Sequence, residues 1–214
     1  EKKIALTLHF MDEKLDSGDI IIKEYFTIDD DTKIGNIYDF IHKNAPNLFI
    51  KAINNLQNSV ASTPQPKDPK SSLRCYPRLA RDHEIKWSSS ANEILRLIKA
   101  SSEPFSGAYT YIDSRKIMIW DADVEPSMSP FLSIPGQVVD RRTNGDVLVS
   151  CGDDKFIVLK KISFEDNIKK IPSEIIKSIR TRLGMDITNQ IDLINKRLDI
   201  LESSLKREGQ DKKS

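Results

Sequence analysis

Two apolar segments separated by a short acidic turn open the chain and constrain its fold more than any other feature. Residues 4–11 and 20–26 are rich in strand-forming side chains, and the first run alternates between two faces. Acidic residues followed by Ser17-Gly18 lie between them, a combination typical of a tight turn. The sequence therefore predicts a strand, a loop with Asp16 at its tip and a second strand, with the glycine allowing a ligand to approach the backbone closely. Taken alone, Asp16 is either a turn former or a reactive group.

The residue pattern of this loop resembles that of a known enzyme family. Residues 7–21 read T-L-H-F-M-D-E-K-L-D-S-G-D-I-I, similar to the T-x-H-x-M-D-E-x-x-D-x-G-x-I loop of folate-dependent formyltransferases. Members move a formyl group from N10-formyltetrahydrofolate to an amine, carried either by methionyl-tRNA or by an amino sugar on a nucleotide carrier. The resemblance implies that Asp16 is catalytic, beside an Asn and a His of an Asn-x-His motif. It also implies that the pterin ring binds along Asp12, Glu13, Lys14, Leu15 and Asp16.

The histidines of this chain depart from the family pattern. No Asn-x-His motif occurs upstream of Asp16, and His42 and His83 lie in a predicted helix and a predicted linker. His9, in the first strand, is expected to have a structural role beside the loop. We therefore expect the first part of the catalytic domain to be absent and the chain to be inactive alone. The non-enzymatic alternative is a remnant that serves only for assembly.

Charge and cysteine content narrow the classes of function. The 33 Lys and Arg against 32 Asp and Glu give a net charge of +1, so no global basic field indicates nucleic-acid binding. No apolar run approaches the roughly 20 residues that span a membrane. Cys75 and Cys151 lack metal or redox spacing and are expected to be free, buried thiols in a reducing cytoplasm. The acidic run 29–31 lacks the glycine and glutamate of a calcium loop, so no metal site is predicted.

The sequence after the hairpin predicts two helices and then a linker. Residues 29–32 place acidic and hydroxyl groups where they favour a helix N-terminus, ahead of an apolar stripe of helical spacing. Pro46 is expected to interrupt that stripe, which a second helix continues. Residues 62–84 have linker composition and include T-P-Q-P, which the family also has at this point. Residues 1–61 are accordingly expected to be the C-terminal portion of the family's α/β, Rossmann-like catalytic domain.

One segment of the linker is a candidate for binding substrate. Arg74, Tyr76 and Arg78 combine two guanidinium groups with an aromatic ring, which suits an anionic molecule. The alternative is a surface loop with solvated arginines.

Residues 85–171 predict a small domain made of a short helix and five strands. Ser90 and Glu93 have the spacing of a capping box at the start of that helix. The motifs I-x-W-x-x-S-A, R-x-I-x-A and P-F-x-G-A-x-T resemble the opening of the family's C-terminal domain, which implies an OB-like β-barrel. Trp87 and Trp120 are expected to be buried in it. Alternation and polar turns predict the strands at residues 108–112, 116–120, 136–140, 147–151 and 156–159.

The choice of acceptor depends on two features of this second half. The strands show no basic stripe with interleaved aromatic residues, which disfavours nucleic-acid binding. The segment Arg74–Arg78 reads R-x-Y-P-R, closer to the sugar-directed branch than to the A-P-K-L of the tRNA enzymes. The sequence therefore predicts an amino sugar on a nucleotide carrier as acceptor, with Met-tRNA as the alternative.

Residues 172–214 predict a helix with a heptad seam and a charged tail. Two or three heptads are marginal alone, so the helix is expected to pack on its own domain or, slightly favoured, on a second copy as a homodimer. The expected fold class is α+β. The apolar positions are spaced 4, 3, 4, 3, 4, at Ile187, Ile191, Ile194, Leu198, Leu201 and Leu205.

Overall fold

The computed structural model describes residues 2–66, 68, 75–125 and 132–211, and it shows an α+β protein with two antiparallel sheets. The chain divides into two compact units. Unit 1 comprises Glu1–His83 and Lys99–Ser106, and unit 2 comprises Glu84–Ile98 and Gly107–Ser214.

Unit 1 is built on the predicted hairpin. Strand β1 (Lys3–His9) pairs antiparallel with β2 (Ile20–Thr27), and the register shifts by one residue between Leu8 and His9. Such a bulge turns the end of a strand and re-aims its side chains. The shift therefore sets the direction in which His9 leaves the sheet, at the base of the loop that carries Asp16.

The prediction of two helices separated at Pro46 is wrong. A single helix α1 spans Ile34–Gln57 with the proline inside it. A proline in a helix interior costs about 3 kcal/mol, but Leu48 and Ala52 beyond it are buried at 1% and 5% exposure, so continuing the helix keeps them in the core. The acidic run precedes this helix as a separate turn, in which Thr32 Oγ1 donates to Asp29 Oδ1 over 2.6 Å.

Unit 2 contains the five predicted strands in one antiparallel sheet: β3 (Ala108–Ile112), β4 (Arg115–Glu125), β5 (Val138–Arg141), β6 (Val147–Ser150) and β7 (Phe156–Ser163). Their order in the sheet is β3-β4-β7-β6-β5. The prediction of their number and positions is confirmed, with β4 and β7 several residues longer than expected. Helix α2 (Ala91–Ser101) precedes the sheet, and its capping box forms as predicted, with Ser90 N donating to Glu93 Oε2 over 3.0 Å.

The core of unit 2 lies between α2 and one face of this sheet. Ile94 and Ile98 of the helix pack with Ile119 and Leu159 of the strands, all at 2% exposure or less. Trp87 belongs to the same core, and its Nε1 donates to Thr110 Oγ1 over 2.9 Å. The predicted burial of both tryptophans is confirmed, because Trp120 is equally buried on the opposite face of the sheet.

The two outer strands of the sheet are bonded to a common segment near residues 181–184. Val138 N donates to Thr181 O over 3.0 Å, and Leu183 N donates to Gly136 O over 2.7 Å. On the other side, Gly184 N donates to Tyr111 O over 2.9 Å. This segment therefore satisfies backbone groups of both β3 and the β5 region.

Three elements remain, and none of them belongs to a sheet. A 3-10 turn covers Ala80–His83, a one-turn helix α3 covers Pro172–Ile175, and a long helix α4 covers Ile187–Asp211. In the described part of the chain, no helix is both long and apolar enough to cross a bilayer.

The two cysteines differ in environment. Cys151 is buried, and burial raises the pKa of its thiol to about 12. Cys75 is exposed, so the expectation that both thiols are buried is wrong for Cys75. Within the described residues, no group of three or more His, Cys, Asp or Glu side chains is placed to hold a metal ion.

Candidate functional site

Asp16 lies at the tip of the loop between β1 and β2 in an unusual backbone conformation. Its φ angle is +53°, in the left-handed region that only Gly, Asn and Asp adopt with ease. Its side chain is 80% exposed, and Oδ1 lies 3.5 Å from Nε2 of His9. The loop therefore holds a carboxylate outward with one imidazole beside it.

His9 is oriented by a hydrogen bond from the other side of its ring. Nδ1 lies 2.7 Å from the Phe10 carbonyl oxygen, and because a carbonyl only accepts, Nδ1 carries the hydrogen. The side chain is only 24% exposed, and Nε2 is the nitrogen that faces Asp16. In the neutral ring Nε2 has a lone pair, so the ring donates to Asp16 only as an imidazolium.

Asp12 stabilises the loop through hydrogen bonds to other loop residues. Its Oδ1 accepts from the Lys14 backbone N–H over 3.0 Å and from the Ser17 hydroxyl over 2.6 Å. The Ser17 hydrogen bond and then the Lys14 N–H lower the pKa of the Asp12 carboxyl, because both favour its charged form. One oxygen of this predicted pterin-binding residue is thus used in shaping the loop.

Gly18 allows two backbone segments to touch. A Cβ at this position would lie 1.9 Å from the Phe10 carbonyl oxygen and 2.7 Å from its carbon. Phe10 N also donates to Asp19 O over 2.9 Å, which closes the loop at its base. The sequence predicts the glycine as a place for a ligand to approach, whereas the atoms that approach it are those of Phe10.

The T-P-Q-P segment is a second support for the loop. Gln65 Nε2 donates to the carbonyl oxygens of Asp16 and Gly18, over 3.0 and 2.7 Å. Thr63 exchanges two backbone hydrogen bonds with Ile20, each 2.8 Å long. The only signal for Gln65 in the sequence is that the family shares this tetrapeptide; nothing in composition or periodicity indicates that it reaches the loop.

Replacing Gln65 with alanine is expected to loosen the Asp16 loop. The change removes two hydrogen bonds worth about 1 kcal/mol each, which predicts amide exchange at Phe10 roughly ten-fold faster or more. Hydrogen-exchange mass spectrometry or NMR measures this directly. Gln57→Ala is the matched control, because Gln57 is exposed at the end of α1. Unchanged exchange at Phe10 in Gln65→Ala would show that the contact does not hold the loop.

The side chains along the rest of the loop point into solvent. Glu13, Lys14 and Leu15 are all exposed, Leu15 at 93% and the neighbouring Met11 at 94%. Met11 and Leu15 therefore leave apolar surface beside the polar groups of the loop.

The predicted substrate-binding residues are placed differently from one another. Arg74 lies outside the described residues, and Tyr76 is 75% exposed. The Arg78 guanidinium donates to Ala100 O over 3.0 Å and to the buried Ser101 hydroxyl over 2.8 Å. Arg78 therefore fastens its own segment to residues 100–101, with at least two of its donors already used.

Comparisons with known proteins agree with the motifs in both halves of the chain. Residues 80–180 match the family described as formyl transferase, C-terminal domain. A methionyl-tRNA formyltransferase from Clostridium tetani is 28% identical over 187 residues, covering 86% of this chain and 58% of that protein. Residues 80–180 therefore belong to the formyl transferase C-terminal domain family. The chain spans a little over half the length of the Clostridium tetani relative.

Solved structures show the same fold. HypX from Aquifex aeolicus in complex with tetrahydrofolic acid is 18% identical, with a TM-score of 0.59 over 84% of this chain and 31% of that one. An N-formyltransferase from Helicobacter canadensis, in complex with folinic acid and dTDP-3-aminofucose, is 20% identical, with a TM-score of 0.54 over 74% of this chain and 56% of that one. At these identities the likeness concerns the fold alone.

Within the formyl transferase C-terminal domain, one surface combines cations with aromatic rings. Lys116 Nζ lies 4.1 Å from the centroid of the Tyr109 ring, and Lys169 Nζ lies 4.9 Å from that of Trp120. The rings themselves are buried, so this surface presents ammonium groups to solvent. Two lysines over buried rings are less than the basic stripe with interleaved aromatic residues that binds nucleic acid, so the expectation of no such stripe stays a prediction. We call this surface the lysine–aromatic face; it comprises Tyr109, Tyr111, Lys116, Met118, Trp120 and Lys169.

Proposed function

We propose that this chain takes part in transferring a formyl group from N10-formyltetrahydrofolate to a primary amine, in the cytoplasm, with Asp16 as its catalytic carboxylate. The observation that carries the proposal is the fixed loop: Asp16 stands exposed at φ +53°, and its backbone is held by Gln65. Preorganised polar groups of this kind need no rearrangement when the reaction occurs.

The chemistry assigns a distinct role to each of two side chains. The amine nitrogen attacks the formyl carbon, the bond from that carbon to N10 breaks, and N10 leaves with a proton. Asp16 accepts the proton that the amine loses, directly or through one water molecule, and the same route returns a proton to N10, so the carboxylate is regenerated. His9, held through Nδ1, orients the carboxylate and stabilises it when the ring is protonated. The Asn-x-His motif that the family uses to stabilise the oxyanion does not occur in these 214 residues.

The loop also suits the reduced pterin of the co-substrate. A pterin has one flat face and an edge of N–H and C=O groups, and residues 12–15 offer backbone groups beside the exposed Met11 and Leu15. Asp12 contributes by keeping the loop in shape through Ser17 and Lys14. Support comes from the two proteins of similar fold, whose structures contain tetrahydrofolic acid and folinic acid.

For the acceptor we favour methionyl-tRNA. The sequence-based preference for an amino sugar depends on two features, the R-x-Y-P-R segment and the absence of a basic stripe, and the two lysines of the lysine–aromatic face weaken the second. The Clostridium tetani relative is a methionyl-tRNA formyltransferase. An amino sugar on a nucleotide carrier remains the second candidate. Its support is the exposed Tyr76 and the dTDP-3-aminofucose bound to the Helicobacter canadensis protein of similar fold.

Salt dependence distinguishes the two acceptors. If methionyl-tRNA binds the lysine–aromatic face, its affinity for the chain should fall steeply between 50 and 200 mM salt, as expected for several phosphate contacts. Lys116→Ala and Lys169→Ala should each reduce the salt slope by about one, whereas Lys155→Ala, a unit 2 lysine outside this face, should not. Fluorescence anisotropy with labelled Met-tRNA measures the slopes. Salt-independent or absent tRNA binding, with retained binding of a dTDP-linked amino sugar, would favour the second acceptor.

We also infer that unit 2 is an OB-like barrel. The inference is supported by the five-stranded antiparallel order and by the segment near residues 181–184, which bonds both β3 and the β5 region. In such barrels the strand faces and loops are the usual sites of nucleic-acid binding.

A further inference from the structure

Helix α4 carries a continuous apolar seam that is open to solvent. The five side chains of this seam that the structure describes are 51–66% exposed, although all are isoleucine or leucine. Their alternating spacing of four and three residues is the 3.5-residue repeat of a coiled coil. An exposed ladder of this length is unusual on a protein surface unless it is an interface. The seam consists of Ile187, Ile191, Ile194, Leu198 and Leu201, and the sequence continues it with Leu205.

The charges beside the seam are placed for pairing. With Ile191 and Leu198 at position a and Ile194 and Leu201 at position d, Arg197 falls at g and Glu202 at e. In a parallel coiled coil, residue g of one helix faces residue e five positions later on the other. Arg197 of one chain would therefore meet Glu202 of a second copy, and the pairing occurs twice by symmetry.

We infer that α4 is the interface with a second copy of this chain, in a parallel and in-register coiled coil. The antiparallel arrangement is less suited because it sets g positions against g positions, so that the arginine lacks its acidic partner. A membrane surface is also a poor occupant, because such helices have polar faces rich in Lys and Arg. The polar face of α4 instead mixes both signs, with Asp192, Asp199 and Glu202 beside Lys196 and Arg197.

Packing against a second copy also accounts for the stability of the helix. α4 has 25 residues, and at its N-terminus Asp186 Oδ1 accepts from Asn189 N over 3.0 Å. Helices of this length in water derive most of their stability from burying an apolar face. The inference does not depend on the reaction or on the acceptor, since it uses only the seam and its flanking charges.

The first test is the mass of the full chain in solution. Sedimentation equilibrium should give twice the chain mass of 24.4 kDa, and the double substitution Ile194→Asp with Leu198→Asp should give a monomer. Ile200→Asp is the matched control, because Ile200 is 65% exposed on the same helix but lies outside the seam. Circular dichroism of strand content confirms that unit 2 remains folded. A wild-type monomer at tens of micromolar, or a dimer that survives the double substitution, would overturn the inference.

A second test concerns the direction of the helices. In a Cys75→Ser background, Ile187→Cys should form an interchain disulfide under mild oxidation, because parallel in-register helices place the two positions side by side. Antiparallel helices would place them at opposite ends of the seam. Arg197→Glu should weaken the dimer, and adding Glu202→Arg should restore it. A dimer without the disulfide, or one insensitive to the charge exchange, would contradict the parallel arrangement.

Discussion

Replacing Asp16 with asparagine is expected to lower the rate of formyl transfer by about two to four orders of magnitude. Asparagine has nearly the same shape and tolerates the left-handed backbone at this position, so the loop should persist. The amide cannot accept the amine proton or carry the charge that pairs with His9. The measurement is kcat with N10-formyltetrahydrofolate and saturating acceptor, made on a protein that joins this chain to an upstream segment carrying the Asn-x-His motif.

Asp19 provides the control for this substitution. It lies in the same loop. In the described part of the chain its carboxylate accepts a hydrogen bond from the Ser62 hydroxyl, over 3.3 Å. Asp19→Asn should therefore retain nearly the wild-type kcat. A wild-type rate in Asp16→Asn, with a folded loop, would remove the carboxylate from the reaction.

The Gly18→Ala substitution is expected to disrupt the loop as a whole. The new methyl group would lie 1.9 Å from the Phe10 carbonyl oxygen, and a main-chain atom cannot rotate aside as a side chain can. Strain of this kind costs about 3 kcal/mol or is relieved by separating the two segments. Separation of the segments, the outcome expected here, breaks the hydrogen bond from Phe10 N to Asp19 O and releases His9 and Asp16 from each other.

Amide exchange at Phe10 and Ile20 measures this disruption. Ser17→Ala at the preceding position is the matched control, because it removes only a hydroxyl, which is bonded to Asp12 Oδ1 and Lys14 O, and adds no clash. The control should raise exchange several-fold, whereas Gly18→Ala should raise it by two orders of magnitude, as expected for about 3 kcal/mol. Equal effects in the two variants would mean that the backbone contact at Gly18 is not what closes the loop.

The parts of the fold that could be predicted are those set by local patterns. Alternating apolar residues fixed the hairpin and the five strands of unit 2, because a two-residue period allows only one face to be buried. The Ser90–Glu93 box fixed the start of α2, because those two side chains satisfy the first free N–H groups of a helix.

The parts that could not be predicted depend on tertiary contacts. Gln65 reaches the loop across 47 positions of sequence separation from Gly18, and no periodicity encodes such a contact. Pro46 reads as a helix break locally, but burial of Leu48 and Ala52 outweighs the local preference. Arg78 reads as a free cation, yet it is fixed to Ala100 and Ser101.

The lysine–aromatic face had a signal that sequence reasoning did not use. Lys116, Met118 and Trp120 alternate along β4, and their register sets Met118 opposite Tyr109. Antiparallel neighbours on one face interact directly, so the hairpin of β3 and β4 already implied a shared surface. Its full extent was not predictable, because Lys169 joins it from a loop beyond β7.

Binding of a folate to the Asp16 loop is the most direct test of the proposed function. Titrating the 15N-labelled chain with folinic acid, a stable formyl folate, should shift the amide signals of residues 11–19 and leave those of β5 and β6 in place. Asp16→Asn, which changes only a terminal atom, should still bind. Shifts confined to unit 2, or no shifts at millimolar folinic acid, would contradict the assignment of this loop to the folate.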